Sequence, residues 1–334
     1  MSTPRTPTAF ADLGVPDDID AGLAAAGFTA PFAIQTEAIP VAMKGVDVCG
    51  RARTGSGKTL AFGIPTLARI EPNAQPRKPH GLVLVPTREL ALQVAEVLDP
   101  IAKHSGMRVL PVYGGASRDK QIDELDRGVE LVVATPLRLI DLMKAGEVTL
   151  DKISVITLDE ADRMADEGFT PQVEWILRHV TGEHQTMLFS ATLDGQVGHL
   201  VKKYLKSPVE VAVDSATETV GTMRHLFLAI HRLDKDKVIA SMAAGAGQTV
   251  VFCDTKRQCD RVERALVDIG VKAAAIHGDL TQAAREKALK RFEENKINVL
   301  VATDVAARGI DIDDVSLVVH YEPPIDVKIG RAHV

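Results

Sequence analysis

Short runs of Val, Ile and Leu recur along the chain, each closing in polar residues and most followed by a helix-length stretch. "GLVLVPT" (81–87), "LVVATP" (131–136), "VITLDE" (155–160) and "TMLFSAT" (186–192) form one series. "TVVFCDT" (249–255), "KAAAIHG" (272–278), "INVLVATD" (297–304) and "SLVVHYEPP" (316–324) form a second. The runs are continuously apolar rather than alternating, which predicts strands covered on both faces. Amphipathic segments such as 88–104 and 257–270 lie between them, and this alternation predicts an α/β fold with parallel sheets. The polar, aperiodic "VDSATETVGTM" (213–223) separates the series. It gives a first domain over 8–213, a linker over 214–222 and a second domain over 223–328. Ligands of open parallel sheets bind beyond the carboxyl ends of the strands, so the polar tips of each series should line a site. The simplest arrangement is two similar halves facing one another across a cleft.

Composition changes this picture little. The chain has 334 residues, 46% hydrophobic and 25% charged, which suits two globular domains. No apolar run approaches the ~20 residues of a membrane span. The start "MSTPRTPTAF" lacks the layout of a signal peptide, so the cytoplasm is the expected location. Three cysteines (Cys49, Cys253, Cys259) form neither a metal-ligand pair nor an even disulfide framework. The net charge of −6 argues mildly against nucleic acid as partner, but phosphate binding needs only local basic clusters.

"DVCGRARTGSGKTLAF" (47–62) reads as strand, glycine-rich turn and helix start. Over Ala52, Arg53, Thr54, Gly55, Ser56, Gly57, Lys58 and Thr59 the backbone N–H groups can converge on phosphate oxygens, helped by the helix N-terminus. Lys58 would reach the outer phosphates and Thr59 would hold Mg²⁺. Ala52 stands where the usual pattern has its first glycine. "VITLDEADRM" (155–164) sets Asp159 and Glu160 directly after a buried strand, placed to hold the metal and to orient and deprotonate a water. Adjacent acids after a strand more often cap a helix; the phosphate loop upstream favours chemistry here.

With these motifs the chain resembles the DEAD-box ATP-dependent RNA helicases, of the bacterial RhlE-like kind. Asp159-Glu160-Ala161-Asp162 are the letters of the family's name, and the resemblance runs from Phe10 to about Pro324. It implies two RecA-like domains in tandem, with ATP and Mg²⁺ as cofactors and RNA as partner, gripped by its backbone with little base readout. "GFTAPFAIQ" (27–35) resembles the family's Q motif, so Gln35 would read the adenine edge and Phe10 would stack on the base. "PTREL" (Pro86, Thr87, Arg88), Gly115 of the "GG" pair, and Thr135 and Arg138 of "TPLRL" resemble its RNA-contacting motifs. Leu137 stands where the family usually has glycine. "SAT" implies coupling of ATP state to unwinding through Ser190 or Thr192 bonded to Asp162. In the second half Gly278 and Thr303 would face RNA, Asp311 would bind ribose hydroxyls and Arg308 would cross the cleft towards ATP or the first domain. Lys58, Asp159, Glu160 and Arg308 are thus the expected catalytic set. His277 is expected to be structural, Gln282 and Arg285 partly structural and partly RNA-facing. Aromatic content is 4%, and the single Trp175 is expected to pack rather than stack on bases.

The family continues past "HYEPP" into a helix and a motif of the form HRxGRxxR, whereas this chain reads "IGRAHV" over 329–334. That hexapeptide is what ATC GGA AGA GCA CAC GTC encodes, which resembles the start of a sequencing adapter. The second domain is therefore expected to be incomplete, its last six residues non-native, and the chain as it stands impaired in turnover. The expected function is RNA-stimulated ATP hydrolysis coupled to local unwinding of short duplexes. An ATP-dependent RNA clamp without turnover is the alternative, and a DNA helicase on the same plan a third.

Overall fold

The computed structural model describes residues 9–52, 55–213, 226–303 and 315–322, apart from the side chain of Gln282. The chain divides into two compact units, Met1–Thr217 and Glu218–Val334. The expected linker (214–222) and tail (329–334) lie outside the described residues.

Seven strands build the first sheet: β1 (Val48–Arg51), β2 (Gly81–Leu84), β3 (Val109–Val112), β4 (Leu131–Ala134), β5 (Val155–Leu158), β6 (Gln185–Ser190) and β7 (Val209–Ala212). All pair in parallel, in the order β3-β4-β2-β5-β6-β1-β7. Successive side chains of a strand point to opposite faces, so a run such as Leu82-Val83-Leu84-Val85 needs cover on both. Val83, Val85, Met187 and Phe189 belong to one core, with α1 (Asp17–Ala25), α2 (Ala33–Ala42), α3 (Lys58–Arg69) and α4 (Arg88–His104). Leu82, Leu84, Ile156 and Leu188 belong to the other. There they meet α5 (Arg118–Asp126), α6 (Pro136–Lys144), α7 (Ala161–Asp166), α8 (Thr170–Leu177) and α9 (Gly195–Tyr204). Trp175 packs on this second core with its ring against His179.

Two strands escape the hydrophobic pattern. β3 reads "VLPV" and β7 reads "VEVA", and they form the two edges of the sheet. An edge strand needs no ladder on its outer side, so Pro111 is tolerated and Glu210 stays exposed.

In the second unit β8 (Gln248–Cys253), β9 (Ala273–Ile276), β10 (Val299–Thr303) and β11 (Val315–His320) pair in parallel in the order β11-β8-β10-β9. Val251, Cys253, Val299 and Val301 pack with α10 (Lys235–Gly245) and α11 (Lys256–Asp268). Val250, Phe252, Leu300 and Ala302 pack with Phe292 of α12 (Gln282–Glu293). Among the described residues no helix is long and apolar enough to cross a membrane.

Candidate functional site

The strand order sorts the sequence motifs of the first unit into two groups. β5, β6 and β1 are neighbours, and their tips carry the acidic motif, "SAT" and the glycine-rich loop. β3, β4 and β2 are neighbours towards the other edge, and their tips carry "GG", "TPLRL" and "PTREL".

In the first group, β1 hands the chain through Ala52 into the loop, and the Ala52 N–H donates to the Ser190 carbonyl at 3.1 Å, tying the β1 and β6 tips together. Gly55 and Gly57 have φ of 78° and 82°, and Gly57 caps α3. Lys58, the first residue of that helix, is buried and donates from Nζ to the Ala52 carbonyl at 3.1 Å. Thr59 follows in the same first turn. Arg53 and Thr54 lie outside the described residues.

Asp159 extends β5, its N–H donating to the Leu84 carbonyl at 2.9 Å. Its Oδ1 accepts the Glu160 N–H at 2.9 Å. Glu160 turns the chain with φ of 51° into α7, and its Oε2 lies 3.1 Å from Arg163 Nη1. Arg163 also pairs with Glu167 at 3.0 Å, so a buried guanidinium holds the Glu160 carboxylate in one orientation. Sequence reasoning missed Arg163, although a cation three residues after an acid on a helix is a natural partner. The Ser190 hydroxyl accepts the Asp162 N–H at 3.2 Å, and Asp162 Oδ2 accepts the Ala191 N–H at 3.2 Å. These bonds link the acidic motif to the β6 tip through Ser190 and the Ala191 backbone.

Burial pushes the Asp159 carboxyl up to about 7, against the positive charge of Lys58 and the Glu160 N–H; the negative charges of Glu160 and Asp162 add to the rise. A buried acidic oxygen whose charge is this costly suits a hard divalent cation, with Thr59 as the second protein oxygen. Magnesium bound to a nucleotide takes few protein ligands, so no larger acidic cluster is required. The same shift sets a pH dependence. An unfolded Asp titrates near 3.8, so between about 4 and about 7 the native protein holds a proton that the unfolded chain has lost. Stability from this group therefore falls as pH rises through that window and is level above it. Asp159→Asn is expected to stabilise the first unit by on the order of 1–3 kcal/mol at about pH 8, and by almost nothing at about pH 4. Equal gains in calorimetry at the two pH values would contradict the buried-charge account.

Gln35 and Phe10 sit on the amino-terminal side of this site. Gln35 is fully buried; its Oε1 accepts the Phe32 N–H at 2.8 Å and its Nε2 donates to the Gly57 carbonyl at 2.9 Å. The Q motif is thus bonded to the phosphate loop, with one amide hydrogen of Gln35 beyond these two contacts. Phe10 is placed differently from the expectation. It is only 2% exposed, packed in the same core as Leu13, Val15, Ile19 and Ile34, so its ring presents no open face to a base.

In the second group, Thr87 follows Pro86 and caps α4 by accepting the Leu90 N–H at 3.3 Å. Arg88 lies against Gly115: a Cβ built on that glycine would stand 2.5 Å from Arg88 Nη1, and the φ of 93° at Gly115 is a conformation that favours glycine. Thr135 caps α6, and Arg138 donates from Nη1 to Gln121 Oε1 at 3.0 Å. Gln121, which the sequence did not flag, donates in turn to the Tyr113 carbonyl at 3.1 Å, fixing the β3 tip to the Arg138 side chain. Leu137 is exposed beside these groups.

In the second unit Gly278 is exposed and Thr303 is largely buried at the end of β10. His277 is buried with Nε2 2.9 Å from Asp260, and Arg285 is buried on α12. Arg308 and Asp311 lie outside the described residues.

A seven-stranded parallel sheet, a glycine loop ahead of α3 and an acidic pair at the tip of β5 define a RecA-like phosphate-loop protein. Comparison with known families narrows the class. The family model described as DEAD/DEAH box helicase matches residues 32–200, and that described as helicase conserved C-terminal domain matches 234–333. The chain is 41% identical to the ATP-dependent RNA helicase DeaD of Klebsiella pneumoniae, over 97% of its own length and 51% of that protein. It is 39% identical to DEAD-box ATP-dependent RNA helicase 20 of Arabidopsis thaliana, over 98% of its length and 68% of that protein. Among solved structures, S. cerevisiae Dbp5 bound to RNA and ADP BeF3 aligns with a TM-score of 0.84 at 29% identity, covering 96% of this chain and 82% of that one. A DEAD box protein from Methanococcus jannaschii aligns with a TM-score of 0.61 at 32% identity, covering 98% and 89%. The chain belongs to the DEAD-box helicase family. It spans about half the length of the bacterial DeaD relatives it matches.

Proposed function

We propose that the protein is an RNA-stimulated ATP hydrolase that locally opens short RNA duplexes. The observation that carries this reading is the sorting of motifs along one sheet. Lys58, Thr59, Asp159 and Glu160 gather at the β1, β5 and β6 tips, while Thr87, Arg88, Gly115, Thr135 and Arg138 gather at the β2, β3 and β4 tips. The first group suits a nucleotide: backbone N–H groups and Lys58 for phosphate oxygens, and Thr59 and Asp159 for Mg²⁺, which when bound would neutralise charge on the phosphates. Glu160, held by Arg163, is the group to orient and deprotonate the attacking water. The second group offers cations, hydroxyls and N–H donors suited to phosphate and sugar oxygens. The bonds from Asp162 to the β6 tip are the route by which nucleotide state would reach the rest of the sheet. In this reading Arg308 and Asp311 act on the nucleotide from the second domain, and Gly278 and Thr303 on the RNA.

Phosphate release and RNA retention, measured together with ATP and Mg²⁺, test the proposal. Release is expected to rise severalfold or more with RNA and much less with DNA of the same sequence. RNA held in the presence of ATP without phosphate release would replace the hydrolase with a clamp. Equal stimulation by DNA would overturn the choice of RNA.

A further inference from the structure

Helix α8 packs against both α6 and α9 on the second core of the first unit, and from each of the three the chain runs back to the start of the next strand. Their last turns therefore sit at the amino ends of parallel strands, away from both groups of motifs. Cations gather there. Glu174 of α8, its side chain 14% exposed, accepts from Arg178 at 2.8 Å and from Lys203 of α9 at 2.9 Å, and lies 3.0 Å from His199 Nε2. Arg178 and Lys203 are themselves 61% and 41% exposed. One nearly covered carboxylate thus fixes two cations that keep further N–H groups for another partner. Lys144, which ends α6, stands 5.8 Å over the Trp175 ring, and Lys203 stands 5.3 Å over the Tyr204 ring. Lys202 and Lys206 are exposed on the same stretch. These five cations outnumber the acids along the same helix ends, Asp141, Glu174 and Glu183, on a chain whose net charge is −6.

We propose that this face docks an acidic segment of a partner protein, whose Asp and Glu side chains pair with Lys144, Arg178, Lys202 and Lys203. Charge complementarity selects an anionic partner. The rings select peptide over nucleic acid. Binders of single strands present open aromatic faces to bases, whereas the Trp175 ring lies 3.9 Å from the His179 ring and under Lys144, and the Tyr204 ring lies under Lys203. A peptide bound here also leaves the strand tips open, so docking is compatible with nucleotide turnover. The competing role is structural, a set of ion pairs that fastens α8 to α9. Exposed pairs of that kind contribute little, and the role gives no part to Lys144 or Lys202.

A fluorescein-labelled peptide of Asp and Glu interspersed with Ser, titrated with the full chain at low salt and followed by anisotropy, tests the proposal. Lys144→Glu combined with Lys202→Glu leaves the Glu174 ion pairs in place and is expected to weaken the peptide at least about tenfold. Lys287→Glu with Lys290→Glu, the same charge change at exposed positions of α12, is expected to weaken it less than about twofold. Lys144→Gln with Lys202→Gln is expected to give a smaller loss than the charge reversal, and it guards against a folding defect in the reversed variant. Labelled single-stranded RNA, titrated in parallel, is expected to bind the Lys144 and Lys202 variants as tightly as the unsubstituted chain. Equal peptide losses in the α12 variant would reduce the binding to net charge and overturn the proposal. Weakened RNA with unchanged peptide would give the face to nucleic acid and overturn it as well. Absence of peptide binding to the unsubstituted chain would overturn it outright, whatever the outcome for ATP hydrolysis.

Discussion

Glu160→Gln is expected to lower RNA-stimulated phosphate release by about 10²- to 10⁴-fold while ATP still binds. The substitution keeps shape and volume, and the amide oxygen can still accept from Arg163, whose Nη1 stands 3.1 Å from the carboxylate. The turn at Glu160, with its φ of 51°, depends on backbone rather than on the acid and should persist. What disappears is a base able to take a proton from water. Lys58, Thr59 and Asp159 are untouched, so affinity for nucleotide and metal is expected to change little. Single-turnover hydrolysis alongside equilibrium ATP binding separates the two effects. Turnover equal to the unsubstituted protein would remove Glu160 from the chemistry and leave the Glu160–Arg163 pair a structural ion pair only. Loss of binding and turnover in proportion would mean that the change had disturbed the loop instead.

The site was more legible in the sequence than its supports. Central strands betray themselves because both faces are buried, as in Val83 against one core and Leu84 against the other. Edge strands do not, because Pro111 and Glu210 sit where solvent or an unpaired ladder tolerates them. Residues at strand tips were found by motif, and Asp159, Glu160, Lys58, Ser190 and Arg88 stand at the tips their motifs implied. The residues that hold them were not. Arg163 lies inside the acidic motif, where its neighbours draw attention to metal and water rather than to an ion pair. Gln121 is a polar residue in a largely exposed helix, and only the fold brings it to Arg138. The resemblance of the Q motif sets Phe10 against the base, but a motif carries no information about the packing of Leu13, Val15 and Ile19, which encloses its ring. Burial is a property of several segments at once, and spacing describes only one.

Gly57→Ala is expected to reduce ATP affinity by at least about tenfold, and turnover with it, more than any substitution that merely trims a phosphate contact. Two independent costs meet at this residue. Its φ of 82° is a left-handed conformation that costs an alanine roughly 1–2 kcal/mol. The added methyl would also stand 2.5 Å from both Gln35 Nε2 and Phe32 Cδ2, closer than any Cβ contact can be. Relief requires either rotation of the loop, which misdirects the N–H groups that converge on phosphate, or retreat of Gln35 and Phe32. The second route breaks the bond from Gln35 to the Gly57 carbonyl and strands a buried amide, at about 1–3 kcal/mol. The contrast with Gly55→Ala is informative, since φ at Gly55 is 78° and only the backbone cost is certain there. Isothermal titration of ATP into both variants should show the larger loss at Gly57. Equal losses would mean that backbone conformation alone governs the loop, and that the contacts of Phe32 and Gln35 with Gly57 do not shape the proposed nucleotide site.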